Sequence, residues 1–163
     1  MGQINIITYD KQYGQQTIDL IVGIQHGEFG IAITAEDQPD LRKVESFYQQ
    51  GNGNFWLAMD GDQVVGTIAL IDIGNNEVSL RKMFVHPDYR GKEKATGQRL
   101  MDMAFDWCRA RKVTAIYLGT VGQFKAAHRF YERNGFVAVE KDSMPATFPA
   151  MPLDHMFYAF YFN

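Results

Sequence analysis

The sequence predicts an α/β (α+β) fold with a mostly antiparallel central sheet flanked by helices, in the order β-α-α-β-β-β-α-β-α-β-β. Three observations carry this. Residues 54–60, 63–72 and 77–85 are β-branched and aromatic runs separated only by Asp60-Gly61 and Gly74-Asn75-Asn76, which are hairpin signals. Residues 96–111 place Leu100, Met101, Ala104, Phe105, Trp107 and Cys108 on one face of a helix with a polar back. An uninterrupted apolar run, 114–120, follows, of the kind found inside a sheet, and leads into a second amphipathic segment. At 163 residues the chain is long enough to bury a core as one domain, 1–163, without a metal or disulfide staple.

In chain order, residues 3–9 read as a short strand, and 17–25 as a helix with Ile18, Ile21, Val22 and Ile24 inward. HGEFGIAITAEDQPD reads as a loop. Residues 40–50 form a helix with Asp40 as N-cap and Leu41, Val44 and Phe47/Tyr48 on one face, ended by GNGN. His86-Pro87 closes the third strand of the meander, because proline cannot donate to a sheet ladder. The second amphipathic segment, about 123–134, carries Phe124, Ala127, Phe130 and Tyr131 inward and stops at Asn134-Gly135. Strands 136–140 and 155–162 complete the sheet, with a proline-rich loop, 143–154, between them. MFYAFYF is too apolar for a bare edge, so it must be paired centrally or across a homodimer.

Composition narrows the function. Hydrophobic residues at 46% and aromatics at 13% exclude a disordered chain. A lone cysteine, Cys108, leaves no internal disulfide, and MGQINIITYDKQYG lacks the basic and then apolar pattern of a signal peptide, so the expectation is cytoplasmic with no membrane partner. The net charge of −3 hides a division: residues 1–79 carry 3 Lys+Arg against 11 Asp+Glu, and residues 80–134 carry 12 against 5. That pattern fits a phosphate-rich ligand held centrally and a cationic one approaching from the acidic side. An RNA-binding domain would also use a basic segment, but no RNP-type aromatic signature is present, and no nucleic-acid partner is expected.

Chemistry concentrates in VHPDYRGKEKATGQRL (85–100), where a strand passes through a glycine-bearing basic loop into a helix start. Free amides at such a start form an anion site, and glycine lets backbone approach a phosphate. Arg90, Lys92 and Lys94 add charge. Neither GxxxxGK[ST] nor an intact GxGxxG occurs, which disfavours nucleotide hydrolysis and dinucleotide binding. In AAHRFYERNGF (126–136) the small Ala127 one turn before Phe130 and Tyr131 leaves room for a ligand or a neighbouring strand. His26 and His128 have no ligand-like spacing to cysteines or acids, so no metal is expected.

Taken together, the strand ending in His-Pro-Asp-Tyr-Arg-Gly, the loop and helix after it, and Ala-x-x-Phe-Tyr-x-x-x-Gly-Phe resemble the GNAT N-acetyltransferase superfamily over residues 77–136. The resemblance implies acetyl-CoA as cosubstrate and transfer of its acetyl group to a primary amine by direct attack; the alternative is a non-catalytic acyl-CoA-binding or sensing module. It implies that the pantetheine arm lies along Met83, Phe84 and Val85, and that Arg90, Gly91, Lys92, Ala95, Thr96, Gly97 and Gln98 hold the pyrophosphate. Gln123, Ala127 and Phe130 complete the cofactor site. Arg90 to Gly97 is two residues longer than the family's loop if Ala95 stands for its middle glycine, and Gln123-Phe124 stands where the family often has asparagine.

By the same resemblance Tyr131 is the acid at the departing sulfur and Glu77 the base; Glu28, in the glycine-flanked HGEFG loop, is the second candidate base and His86, before a proline, the third. Glu28 and Phe29 fall in the segment that walls the acceptor, which is a small-molecule or peptide amine. Its acids, Glu28, Glu36, Asp37 and Asp40, suit a cationic one.

Overall fold

Hairpin turns written in the sequence organise the sheet. In the computed structural model, which describes residues 3–91, 94–122 and 124–163, Asn75 and Asn76 both take positive φ (57° and 59°), as a type I′ turn demands. That turn joins β3 (Gln63–Gly74) to β4 (Glu77–Val85), and the turn at Gly61 joins β2 (Asn54–Asp60) to β3. With β1 (Ile4–Thr8), β5 (Ala115–Thr120), β6 (Val137–Val139) and β7 (Met156–Tyr161), the described residues form a seven-stranded sheet in the order β1-β2-β3-β4-β5-β7-β6. Every neighbouring pair is antiparallel except β4 and β5. The apolar β7 is paired on both sides, by β5 and β6, so its composition calls for no second copy of the chain.

Helix α3 (Thr96–Ala110) buries Leu100, Met101, Ala104, Phe105 and Cys108 against one face of the sheet, and Trp107 half-buries its ring while donating Nε1–H to the Asn52 carbonyl at 2.8 Å. Helix α4 (Lys125–Arg133) packs beside it and ends in a Schellman turn: Phe136 N–H bonds the Tyr131 carbonyl, and Gly135 has φ 92°. The opposite face is covered by α1 (Gly14–Gly23), with Ile18 and Ile21 buried, and by the short α2 (Val44–Phe47).

Two elements depart from the sequence expectation. α1 begins and ends earlier than expected and runs on as a π-helical turn, Ile24–Glu28, so the first part of the expected HGEFG loop is helical. The expected helix 40–50 is broken into a 3₁₀ turn, Pro39–Arg42, and α2. Asp40 is no N-cap. Its carboxylate turns inward, where it accepts the Tyr48 hydroxyl proton at 2.5 Å and lies 3.5 Å from Lys82 Nζ, and these partners outrank a local cap.

The feature that shapes the site is in β4. Lys82 sits at a bulge with φ 55°, a left-handed conformation uncommon for a non-glycine residue, and its carbonyl accepts Thr67 Oγ1–H at 2.6 Å. The bulge shifts the side-chain alternation by one, so that Val78 and Leu80 before it and Met83 and Val85 after it all face the core under α3. It also bends the strand. β4 and β5 pair at Glu77–Ala115, Val78–Ile116 and Ser79–Tyr117 and then separate.

Candidate functional site

A cavity of about 340 Å³ opens where the two strands part. β4 supplies Ser79 to Phe84, β5 and its exit supply Leu118 to Val121, and α4 supplies Ala127 and Tyr131. Gln25, Ile31, Ile33, Gln38 and Asp40 close one side, and the proline-rich loop closes another with Phe148, Met151 and Asp154. Asp154 is seated directly on Gly119, where a Cβ would fall 2.4 Å from its Oδ2, so the glycine is what admits the carboxylate. Burial raises the Asp154 pKa, opposed by the Met151 N–H that it accepts at 2.9 Å.

Tyr131 is 5% exposed and lines the cavity, its ring packed against those of Phe136 and Tyr158. Burial, and then the neighbouring Tyr158, push its hydroxyl well above the ordinary tyrosine range. It therefore stays protonated at neutral pH, the state required of a proton donor.

The expected phosphate cradle would be built from backbone. Ala95, before α3, has φ 52°, and no side chain caps the helix. The first-turn amides of Thr96, Gly97 and Gln98 are left without intrahelical acceptors by helix geometry, at the positive end of the dipole. Thr96 Oγ1 is fully buried without a hydrogen-bond partner. An orphaned hydroxyl beside uncapped amides fits an anionic group such as the diphosphate of acetyl-CoA. Gly97 packs toward Met83 and Phe130, with van der Waals room for no more than a Cβ, which ties the cradle to β4 and α4.

The structure separates other expected site residues from the cavity. Arg90 commits its guanidinium to protein partners, donating Nε–H to the Val85 carbonyl at 2.8 Å and Nη1–H to Glu28 Oε2 at 2.6 Å. The expected phosphate ligand and the expected acceptor carboxylate thus neutralise each other. Phe29 stacks edge-on against Phe124 at 4.5 Å and backs the cavity without lining it. Glu77 stands at the paired end of β4, where it accepts the Tyr117 hydroxyl at 3.2 Å, remote from the opening; the structure does not bring it to the cavity.

Gln98 bonds Asp102 and Asn134 through its side chain, leaving only its backbone amide to the cradle. Lys94 donates to the Asp88 carbonyl and lies over the Tyr89 ring, while Gly91 takes φ 102° in the exposed loop. His86 Nδ1 accepts the Asp88 N–H at 3.1 Å within its own turn. Val85 packs toward the core, and Met83 and Phe84 line the cavity. Lys92 and Gln123 lie outside the described residues. Among the described residues no cluster of three or more His, Cys, Asp or Glu could hold a metal.

Sequence reasoning missed Lys82. Its side chain is 8% exposed, donates Nζ–H to Gln38 Oε1 at 2.6 Å and lines the cavity. A signal was present: Glu77, Ser79 and Arg81 alternate with the apolar Val78 and Leu80, and Lys82 puts a charge where the next apolar residue is due, which breaks the period of two and marks a bulge.

Cys108 is buried, and burial pushes its thiol up to about 12. It should therefore be silent toward DTNB at pH 8 in the native protein and release one equivalent of chromophore after unfolding in guanidinium. Rapid native labelling would refute the reading of this cysteine as core.

Residues 21–136 match the model of the acetyltransferase (GNAT) family. An acetyltransferase of the GNAT family from Staphylococcus aureus Mu50 is 40% identical, with a TM-score of 0.91, over 96% of this chain and 97% of that one. The fold is shared with the PaiA N-acetyltransferase from Thermoplasma acidophilum in complex with coenzyme A, at a TM-score of 0.73 over 98% of this chain and 99% of that one and 17% identity. N-acetylaspartate synthetase from Danio rerio is 35% identical over 126 residues, which are 73% of this chain and 43% of that protein. The chain thus spans less than half the length of that relative. With a family match over most of its length, a sheet splayed at the bulge of β4 and a cradle that acetyl-CoA fits as cosubstrate, the chain belongs to the GNAT acetyltransferase family.

Proposed function

We propose that this chain transfers the acetyl group of acetyl-CoA to a primary amine by direct attack of the nitrogen on the thioester. One observation carries the reading: the opening between β4 and β5 holds Tyr131 and Met83, and Met83 in turn packs against Gly97 at the uncapped start of α3. The amides of Thr96 to Gln98 and the Thr96 hydroxyl bind the diphosphate. The unpaired edge of β4 at Met83 and Phe84 receives the pantetheine amides as a substitute strand, and an N–H there polarises the thioester carbonyl as negative charge develops on its oxygen. Tyr131 gives its proton to the departing sulfur. No protein nucleophile is involved, consistent with the inert environment of Cys108.

The acceptor enters beneath the segments 25–40 and 148–154, which wall the cavity. Most of the acids that suggested a cationic amine already have partners: Glu28 pairs with Arg90, Asp37 accepts from Thr34, and Asp40 bonds Tyr48. Arg81 faces the same cavity without a carboxylate partner among the ion pairs of the described residues, its Nη2 on Met151 Sδ. An amine that carries a carboxylate fits this wall better than a polyamine, and the N-acetylaspartate synthetase relative points to the same class.

Calorimetry should show saturable acetyl-CoA binding. A thiol-release assay across L-aspartate, spermidine, kanamycin and a lysine-containing peptide should show amine-dependent turnover, fastest with L-aspartate. No binding at millimolar acetyl-CoA would overturn the proposal, and turnover only with spermidine or kanamycin would overturn the acceptor class.

A further inference from the structure

The attacking nitrogen must lose protons to become an amide, and the structure offers few groups to take one. Glu77 is held by Tyr117 at the closed end of β4, and Glu28 is engaged by Arg90. Lys82 is differently placed. Its bulge sets it immediately before Met83 and Phe84, the stretch of β4 whose edge is unpaired beyond the splay, and its side chain lines the cavity. A left-handed backbone at a non-glycine residue is retained where the surroundings hold it, and here the Thr67 hydroxyl bonds the Lys82 carbonyl.

Beyond the reaction proposed above, and resting on it, we propose that Lys82 is the proton acceptor for the incoming amine, oriented by Gln38 and Asp40.

The surroundings suit the task. Gln38 Oε1 accepts from Nζ at 2.6 Å, and Gln38 is in turn fixed by Gln25, whose Oε1 accepts Gln38 Nε2–H at 2.8 Å. Asp40 lies 3.5 Å from Nζ and is itself held by the Tyr48 hydroxyl. Arg81 on the same strand is a further charge acting on this group, and Asp37 and Asp154 line the same cavity, Asp37 held by Thr34 and Asp154 by the Met151 N–H. Desolvation by burial dominates and lowers the Lys82 pKa to about 8; Asp40 opposes the shift and Arg81 assists it. A neutral amine is then available near physiological pH, in the range where a lysine base works best.

The protons balance. Neutral Nζ takes one proton from the acceptor's ammonium and later loses it to water. The freed nitrogen lone pair forms the N–C bond, the C–S bond breaks with its electron pair on sulfur, and the sulfur receives the Tyr131 proton. The second proton shed by the nitrogen restores the Tyr131 hydroxyl.

The test combines titration with kinetics on the full chain. In protein labelled at lysine ¹³Cε, the signal that disappears in Lys82→Arg should titrate near 8, with the exposed lysines near 10.4. With wild type, kcat/KM should rise through an apparent pKa near that value, unchanged between two acceptors of different amine pKa. Lys82→Met and Lys82→Arg should each lower kcat about a hundredfold or more and abolish that limb, with acetyl-CoA affinity by calorimetry unchanged within about threefold. A Lys82 signal titrating above about 10, or either variant turning over within threefold of wild type, would overturn the assignment and leave the reaction standing. Failure of wild type to bind acetyl-CoA removes the reaction itself, and the assignment with it.

Discussion

Tyr131→Phe is expected to lower kcat tenfold or more while leaving acetyl-CoA binding within about twofold. The substitution removes one oxygen from a ring whose packing against Phe136 and Tyr158 is otherwise kept, so the fold and the cradle should be indifferent to it. On the proposed mechanism, what is lost is the proton for the departing thiolate. Because burial raises the Tyr131 pKa, the hydroxyl stays protonated throughout the pH range in which Lys82 becomes neutral, so the two groups have opposite tasks and compatible protonation states. Tyr158, its neighbour, is engaged by Glu132 at 2.8 Å and is not an obvious substitute. Thiol release under saturating acetyl-CoA, with calorimetry on the same preparations, measures the effect. A kcat within twofold of wild type would assign this tyrosine to the core alone.

The largest stability effect is expected at a residue with no chemistry. Gly53 precedes β2, and a Cβ there would lie 2.3 Å from the Tyr48 carbonyl oxygen, 2.7 Å from that of Leu70 and 3.2 Å from the Asp72 nitrogen. All three are backbone atoms, so no rotamer change relieves the clash. Gly53→Ala must displace either the turn after α2 or the end of β3, at a cost of about 3 kcal/mol or more. In a chain of this size that corresponds to a fall in Tm on the order of 10 °C. Gly23→Ala is the matched control: that glycine is helical, and nothing lies within 4 Å of its added Cβ. It should be neutral or stabilise by about 0.5–1 kcal/mol. Thermal unfolding of the two variants side by side decides the matter, and a Gly53→Ala midpoint equal to that of the control would show that the chain relaxes there without strain.

Much of the architecture is local and therefore legible in sequence. The bounds of β2 and β4 coincide with the expected runs, and α3 buries the residues its periodicity selects. The glycine-bearing helix start and the Tyr131 helix were legible as motifs; Tyr131 lines the opening in the sheet, and Gly97 packs against Met83, which lines it too. Arg90, Glu28 and Glu77 had the right residue types for their expected roles but are engaged elsewhere, by Val85 and Glu28, by Arg90, and by Tyr117. A charged side chain's role depends on which distant partner reaches it first, and no spacing along the chain reports that.

By itself the sequence determined the order of elements, the turns that fold the meander, the glycine-bearing helix start and the tyrosine one turn beyond a small residue. These depend on periodicity and backbone preference over a few neighbours, which survive in a linear text. Only the tertiary structure decided that Gln38 and Asp40 come from 42 to 44 residues away to hold the Lys82 amine, and that Arg90 cancels Glu28. Those outcomes are contests between long-range polar partners in a desolvated interior, settled by burial and distance and by nothing that neighbouring residues encode.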